Sequence, residues 1–160
     1  MSDKPILYLE DLHVGQRFHA GPHLMTEERI KSFAAEFDPQ PFHLDEAAAR
    51  DTVFQGLAAS GWHTAAVAIK MMVESDMQFA SGVTTPSSTG AGLIGFGGEL
   101  TWPKPTRPGD LLHLEAEVLE ITPSRSKPQQ GVVTVRNVVM NQADEPVYIF
   151  TAKILVFRRP

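Results

Sequence analysis

The segment Phe37-Asp38-Pro39-Gln40-Pro41-Phe42-His43-Leu44-Asp45 sets a carboxylate and an imidazole five positions apart. Both side chains give and take protons near neutral pH, which is the equipment of general acid–base chemistry. The prolines stiffen the segment, and Phe37 and Phe42 are expected to keep it dry. If the chain here is extended, the Asp38 and His43 backbones stand on the order of 15 Å apart. The two groups can share one proton only if the loop curls. Two readings stay open from the residues alone: an acid–base dyad, or an aspartate closing a helix beside a packed histidine.

Other candidates are weaker. His13, His19, His23, His63 and His113 show no metal-binding pattern, because Gly21-Pro22 keeps His19 and His23 off a common helix face. No metal is expected. Gly90-Ala91-Gly92-Leu93-Ile94-Gly95 spells a dinucleotide fingerprint, but that motif works only between a strand and a helix whose N-terminus holds phosphate. Here an extended segment closed by Trp102-Pro103 follows, so its glycines are expected to allow close backbone approach instead.

The elements that must position Asp38 and His43 can be read from caps and periodicity. Thr26, with Glu27 and Glu28 behind it, starts a helix whose apolar face is Ile30, Phe33, Ala34 and Phe37. Pro39 and Pro41 end it. Asp45 caps a short helical turn over 46–50, and Ser60 caps a helix over 62–77 that is apolar on nearly every side. Strands are expected over 93–102, 111–121, 131–141 and 147–158 as four successive antiparallel strands, with 16–20 as a possible fifth. The class is α+β, one domain over 1–160, with a sheet wrapped on a buried helix.

Composition removes whole classes of function. The chain has 160 residues and no cysteine, which excludes disulfides, thiolate metal sites and cysteine nucleophiles. Its net charge of −5 and lack of a basic face argue against nucleic acid. The longest apolar run, 65–73, is short and holds Lys70, so no membrane span is expected. With a polar N-terminus, these features suggest a cytoplasmic protein.

At Asp38, Pro41, His43 and Asp45-Glu46-Ala47 the sequence resembles the MaoC-like dehydratase family, the group of (R)-specific enoyl-CoA hydratases, marked by an Asp-x-Asn-Pro-x-His loop. Glu10-Asp11-Leu12, Val14-Gly15, Ala59-Ser60-Gly61-Trp62, Pro108-Gly109-Asp110 and the loop over 125–131 extend the likeness over nearly the whole chain. The resemblance implies a hotdog fold, a long central helix wrapped by an antiparallel sheet. It also implies dimerisation through the sheets, so a homodimer or a larger assembly of dimers. Asp38 and His43 would then be the catalytic pair, with the Gly61 N–H as oxyanion donor and Ser60 and Trp62 beside the substrate.

The family's asparagine is Gln40 here, its histidine before the helix glycine is Ser60, and a serine that some members carry on the central helix is Ile69. These departures bear on substrate identity more than on reaction class. The implied reaction is syn addition of water to an enoyl thioester, with His43 expected as base and Asp38 as acid at C2. No cofactor is expected beyond the coenzyme A that carries the substrate, whose phosphates Arg125 and Lys127 would meet. Rival readings are a hotdog thioesterase, for which the central helix offers only Glu74, and a non-catalytic acyl-thioester-binding module. Leu57, Trp62, Met77 and Phe79 are expected to shape the pocket floor.

Overall fold

The computed structural model describes residues 4–82 and 91–160. After a short 3-10 turn at Leu9–Asp11 come β1 (Arg17–Leu24), α1 (Glu27–Phe37), α2 (Pro41–Leu44), α3 (Glu46–Arg50) and α4 (Gly61–Glu74). The second half supplies β2 (Ile94–Thr101), β3 (Leu111–Pro123), β4 (Gln130–Met140) and β5 (Pro146–Phe157). The caps lie where the sequence sets them. Thr26 Oγ1 accepts from Arg29 N, Asp45 Oδ1 from Ala48 N, and Ser60 Oγ from Trp62 N. The long helix ends at Glu74, short of residue 77, because Ser75 Oγ donates to Met72 O and accepts from Met77 N, turning the chain away.

The sheet has five antiparallel strands in the order β1-β3-β4-β5-β2. This corrects the expectation of four successive strands: β2 does not pair with β3 but crosses to the far side of β5. The segment that spells the dinucleotide fingerprint leads into β2 and no helix follows it; Gly90 itself lies outside the described residues.

Alternation along β3 and β4 turns Leu112, Leu114, Ala116, Val118, Val133, Val135 and Val139 inward. On α4, the face formed by His63, Thr64, Val67, Ala68, Met71 and Met72 is buried against them. This is the hotdog arrangement: one long helix wrapped by one curved sheet. The helix is not covered all round, however. Trp62, Ile69 and Val73 are each about half exposed, so the apolar sequence of α4 exceeds what a single chain buries. Among the described residues, no helix is long and apolar enough to cross a membrane.

Candidate active site

Asp38 closes α1, its backbone N–H donating to Ala34 O. The following segment is not extended. Pro41 occupies the first turn of α2, where its fixed φ suits a helix and its missing N–H costs nothing. His43 N donates to Gln40 O, so the chain curls and brings the imidazole back over the carboxylate. His43 Nε2 stands 3.4 Å from Asp38 Oδ2. The expectation that Phe37 dries the loop is not met: its ring is 65% exposed. The rings that enclose His43 are Phe42, edge-on at 4.6 Å, and Phe54 at 5.8 Å.

The hydrogen bonds define the proton inventory of the pair. His43 Nδ1 is 2.7 Å from Ala58 O. A carbonyl only accepts, so Nδ1 carries the proton and Nε2 of the neutral ring presents its lone pair toward Asp38. The carboxylate in turn accepts from Ser60 Oγ on Oδ2 at 2.7 Å and from Gln40 Nε2 on Oδ1 at 2.6 Å. Burial pushes the Asp38 pKa up, but those two donors and the positive charge available at His43 outweigh it, holding the group below the ordinary aspartate value.

Asp38 and His43 open onto a cleft of about 380 Å³, lined also by Phe54, Gly61, Trp62, Thr64, Trp102, Lys104 and Thr106. Gly61 is the first residue of α4. The Thr64 and His63 amides are satisfied by Ser60 O and the Trp62 amide by Ser60 Oγ. Among the described residues the Gly61 N–H has no partner, and it sits at the positive end of the helix. Glycine is required here for a reason the sequence did not show: a Cβ would stand 2.7 Å from Cε2 of Trp102, whose indole N–H donates to Gly61 O at 2.9 Å.

Ser60 is fully buried and donates to Asp38, so its hydroxyl belongs to the carboxylate. Trp62 does line the cleft, edge-to-face with Trp102 at 5.2 Å. Leu57, Met77 and Phe79 are core residues and do not line it. Arg125 and Lys127 lie in the turn after β3, a strand of 13 residues. Neither is among the residues that line the cleft, and the cation on the cleft wall is Lys104.

Sequence reasoning also missed Arg107, which donates to the carbonyl oxygens of Phe54, Gly56 and Leu57 and fixes the loop that carries the Phe54 ring. The signal was there in Pro103, Pro105 and Pro108, which stiffen a connection running along the site.

Comparison with known proteins agrees with this fold. The family model described as "MaoC like domain" matches residues 12–143. The crystal structure of a MaoC-like dehydratase from Rhodospirillum rubrum is 53% identical, with a TM-score of 0.85 over 96% of this chain and 99% of that one. The (R)-hydratase PhaJ1 from Pseudomonas aeruginosa is 29% identical, with a TM-score of 0.68 over 95% of this chain and 86% of that one. The protein YdeM of Bacillus subtilis is 29% identical over 94% of this chain and 99% of its own length.

Proposed function

Because the chain belongs to the family of MaoC-like domains, we propose that it is a lyase that adds water to, or removes it from, the α,β double bond of an enoyl thioester carried on coenzyme A. The observation that carries this reading is the convergence of Asp38 Oδ2, His43 Nε2 and the Gly61 amide on one cleft. The family and the similarity to an (R)-hydratase support a hydratase or dehydratase role.

With Nδ1 protonated and Asp38 ionised, Nε2 and Oδ2 are both acceptors and can hold one water by its two protons. The water oxygen attacks C3 while its proton passes to His43 Nε2, the ring being held in this tautomer by Ala58 O. The π electrons move to the thioester oxygen, where the Gly61 N–H and the α4 dipole stabilise the charge; one such donor is worth about 2.7–4 kcal/mol. As the enolate collapses, the imidazolium returns the proton to C2 on the same face. Asp38 orients the water and stabilises the imidazolium. This moves the acid's part at C2, assigned to Asp38 on sequence grounds, to His43. Every proton in the step is held by water, His43 or the acyl chain, so no further cofactor is needed.

The working unit of this reading is a homodimer in the cytoplasm. β1 is a blunted edge, carrying Pro22 and a register shift between Ala20 and His23. At the other edge of the sheet, β2 is paired to β5 on one side only and exposes Ile94 and Phe96. A second copy pairing there would cover these residues and the apolar outer face of α4.

Thioester hydrolysis is disfavoured by the placement of Glu74. It ends a helix of 14 residues, is exposed and is bonded to Lys70. That is about 20 Å from Gly61 at 1.5 Å per residue. One experiment separates the readings: loss of the conjugated enoyl-thioester absorbance followed in parallel with release of free thiol. Loss of absorbance without thiol supports hydration. Thiol release means hydrolysis, and neither signal means a binding module.

A further inference from the structure

We infer that Thr64 and Thr106 form a hydroxyl pair that binds an oxygen atom on the substrate's acyl chain, so that the enzyme selects short acyl thioesters bearing a hydroxyl or carboxylate beyond the double bond. The inference rests on the thioester reading of the cleft and names its substrate class. Thr64 stands one turn into α4 from Gly61, and Thr106 lies on the connection between β2 and β3. Both line the cleft, yet they are only 1% and 3% exposed.

The donor count carries the argument. Thr64 Oγ1 donates to Thr106 Oγ1 at 3.0 Å. The main-chain groups of both residues are engaged elsewhere, Thr64 N with Ser60 O and Thr106 O with Ala59 N. Two hydroxyls bring two protons, and the bond between them uses one. Among the described residues the Thr106 hydroxyl proton has no acceptor. Buried donors are nearly always paired, so a donor spared by the protein beside a binding cleft is matched by an acceptor on what binds there.

A cleft meant for a plain alkyl chain would gain by valine at either position, which has the same shape without the polar group. The surrounding wall fits the inference. Phe54, Trp62 and Trp102 supply apolar contact on the other sides, and Lys104, paired with Glu145, lies on the same wall. A chain lacking the oxygen would strand the donor, which corresponds to roughly a ten- to hundredfold loss.

The test compares hydration of crotonyl-CoA with 2-enoyl-CoA substrates of similar length ending in a hydroxyl or a carboxylate. The proteins are the wild type, the Thr64→Val/Thr106→Val double variant and the Thr64→Ser/Thr106→Ser double variant. The wild type should favour at least one oxygen-bearing substrate by tenfold or more in kcat/KM. The valine variant should lose that preference, its kcat/KM for the oxygen-bearing substrates falling to that for crotonyl-CoA, and the serine variant should retain it. The two oxygen-bearing substrates distinguish hydroxyl from carboxylate. Equal kcat/KM for all three in the wild type, or a preference that survives double valine substitution, would overturn the inference. So would a matching loss on crotonyl-CoA, which would place the hydroxyls in the reaction itself.

Calorimetric titration with butyryl-CoA, 4-hydroxybutyryl-CoA and succinyl-CoA gives a readout independent of turnover. If no thioester is hydrated but a threonine-dependent binding preference appears, the hydratase reading fails and the acyl-chain inference stands. If butyryl-CoA binds as well as the other two in the wild type, the inference fails on binding as well.

Discussion

Ser60 Oγ donates to Asp38 Oδ2 at 2.7 Å, and that same carboxylate oxygen faces His43 Nε2 at 3.4 Å. The hydroxyl also accepts the Trp62 amide at 3.3 Å. One oxygen atom therefore caps the central helix and holds the carboxylate, tying the oxyanion end of the site to its acid–base end. The lowered Asp38 pKa is the electrostatic counterpart of that tie.

Glycine is nearly as good a helix cap as serine, costing only a few tenths of a kcal/mol, but it has no hydroxyl. In Ser60→Gly the ionised carboxylate loses a donor, so the Asp38 pKa rises. The Asp38 carboxyl resonance, followed by nuclear magnetic resonance against pH, should then titrate at higher pH than in the wild type. An unmoved titration would show that Ser60 is a cap and nothing more.

Asp38→Asn and His43→Ala should each reduce turnover by at least about a hundredfold, the scale of lost acid–base help. Far-ultraviolet circular dichroism should match that of the wild type, since Asp38 is a helix end and His43 sits on a single turn. Near-normal turnover in either variant would refute the dyad.

Gly61→Ala drives a methyl into the Trp102 indole. Overpacking of this kind costs about 1–3 kcal/mol. The variant should melt lower and turn over more slowly, because the ring that must yield is bonded to Gly61 O. Adding Trp102→Leu should recover part of the melting temperature. A double variant that melts no higher than Gly61→Ala alone would contradict the packing explanation.

His63 is buried, stacked on Phe33 at 4.7 Å, and among the described residues its Nδ1 has no partner. Burial, with the positive charges of His23 and Arg29 added, holds its pKa below the ordinary histidine value. A depressed histidine pKa means that the folded state resists a proton the unfolded chain accepts. Stability is therefore full above about pH 6.5 and falls as the pH drops below it. His23 is shifted in the same direction and contributes the same sign. Urea midpoints at pH 7.5 and 5.5 should differ less in His63→Phe than in the wild type. An unchanged difference would remove His63 from the account.

Phe96→Glu places a charge on the exposed edge strand β2. If a second copy pairs there, sedimentation velocity should show the wild type as a dimer and the variant as a smaller species. A wild-type monomer, or a variant that still dimerises, would argue for another interface.

Much of the fold was legible because its signals are local. Thr26, Asp45 and Ser60 cap helices, and the period-two patterns of β3, β4 and β5 mark strands, all within a few residues of one another. Strand order was not legible: nothing in residues 94–101 says that their partner is β5, because that choice is made by the path around α4. In the site, Asp38 and His43 were readable as types and spacing, and the proline that could have kept them apart instead starts the turn that joins them. Trp102, Thr106 and Arg107 were not, since their part depends on a connection 40 residues and more down the chain folding back beside Gly61.

The Arg107 guanidinium holds three carbonyl oxygens of the Phe54 loop while its own backbone belongs to the connection that bears Thr106. The two walls it joins are thus a single rigid jaw, and neither can swing aside alone to admit a long thioester. Passage in and out falls instead to Trp62, which is half exposed and held by a single edge-to-face ring contact with Trp102.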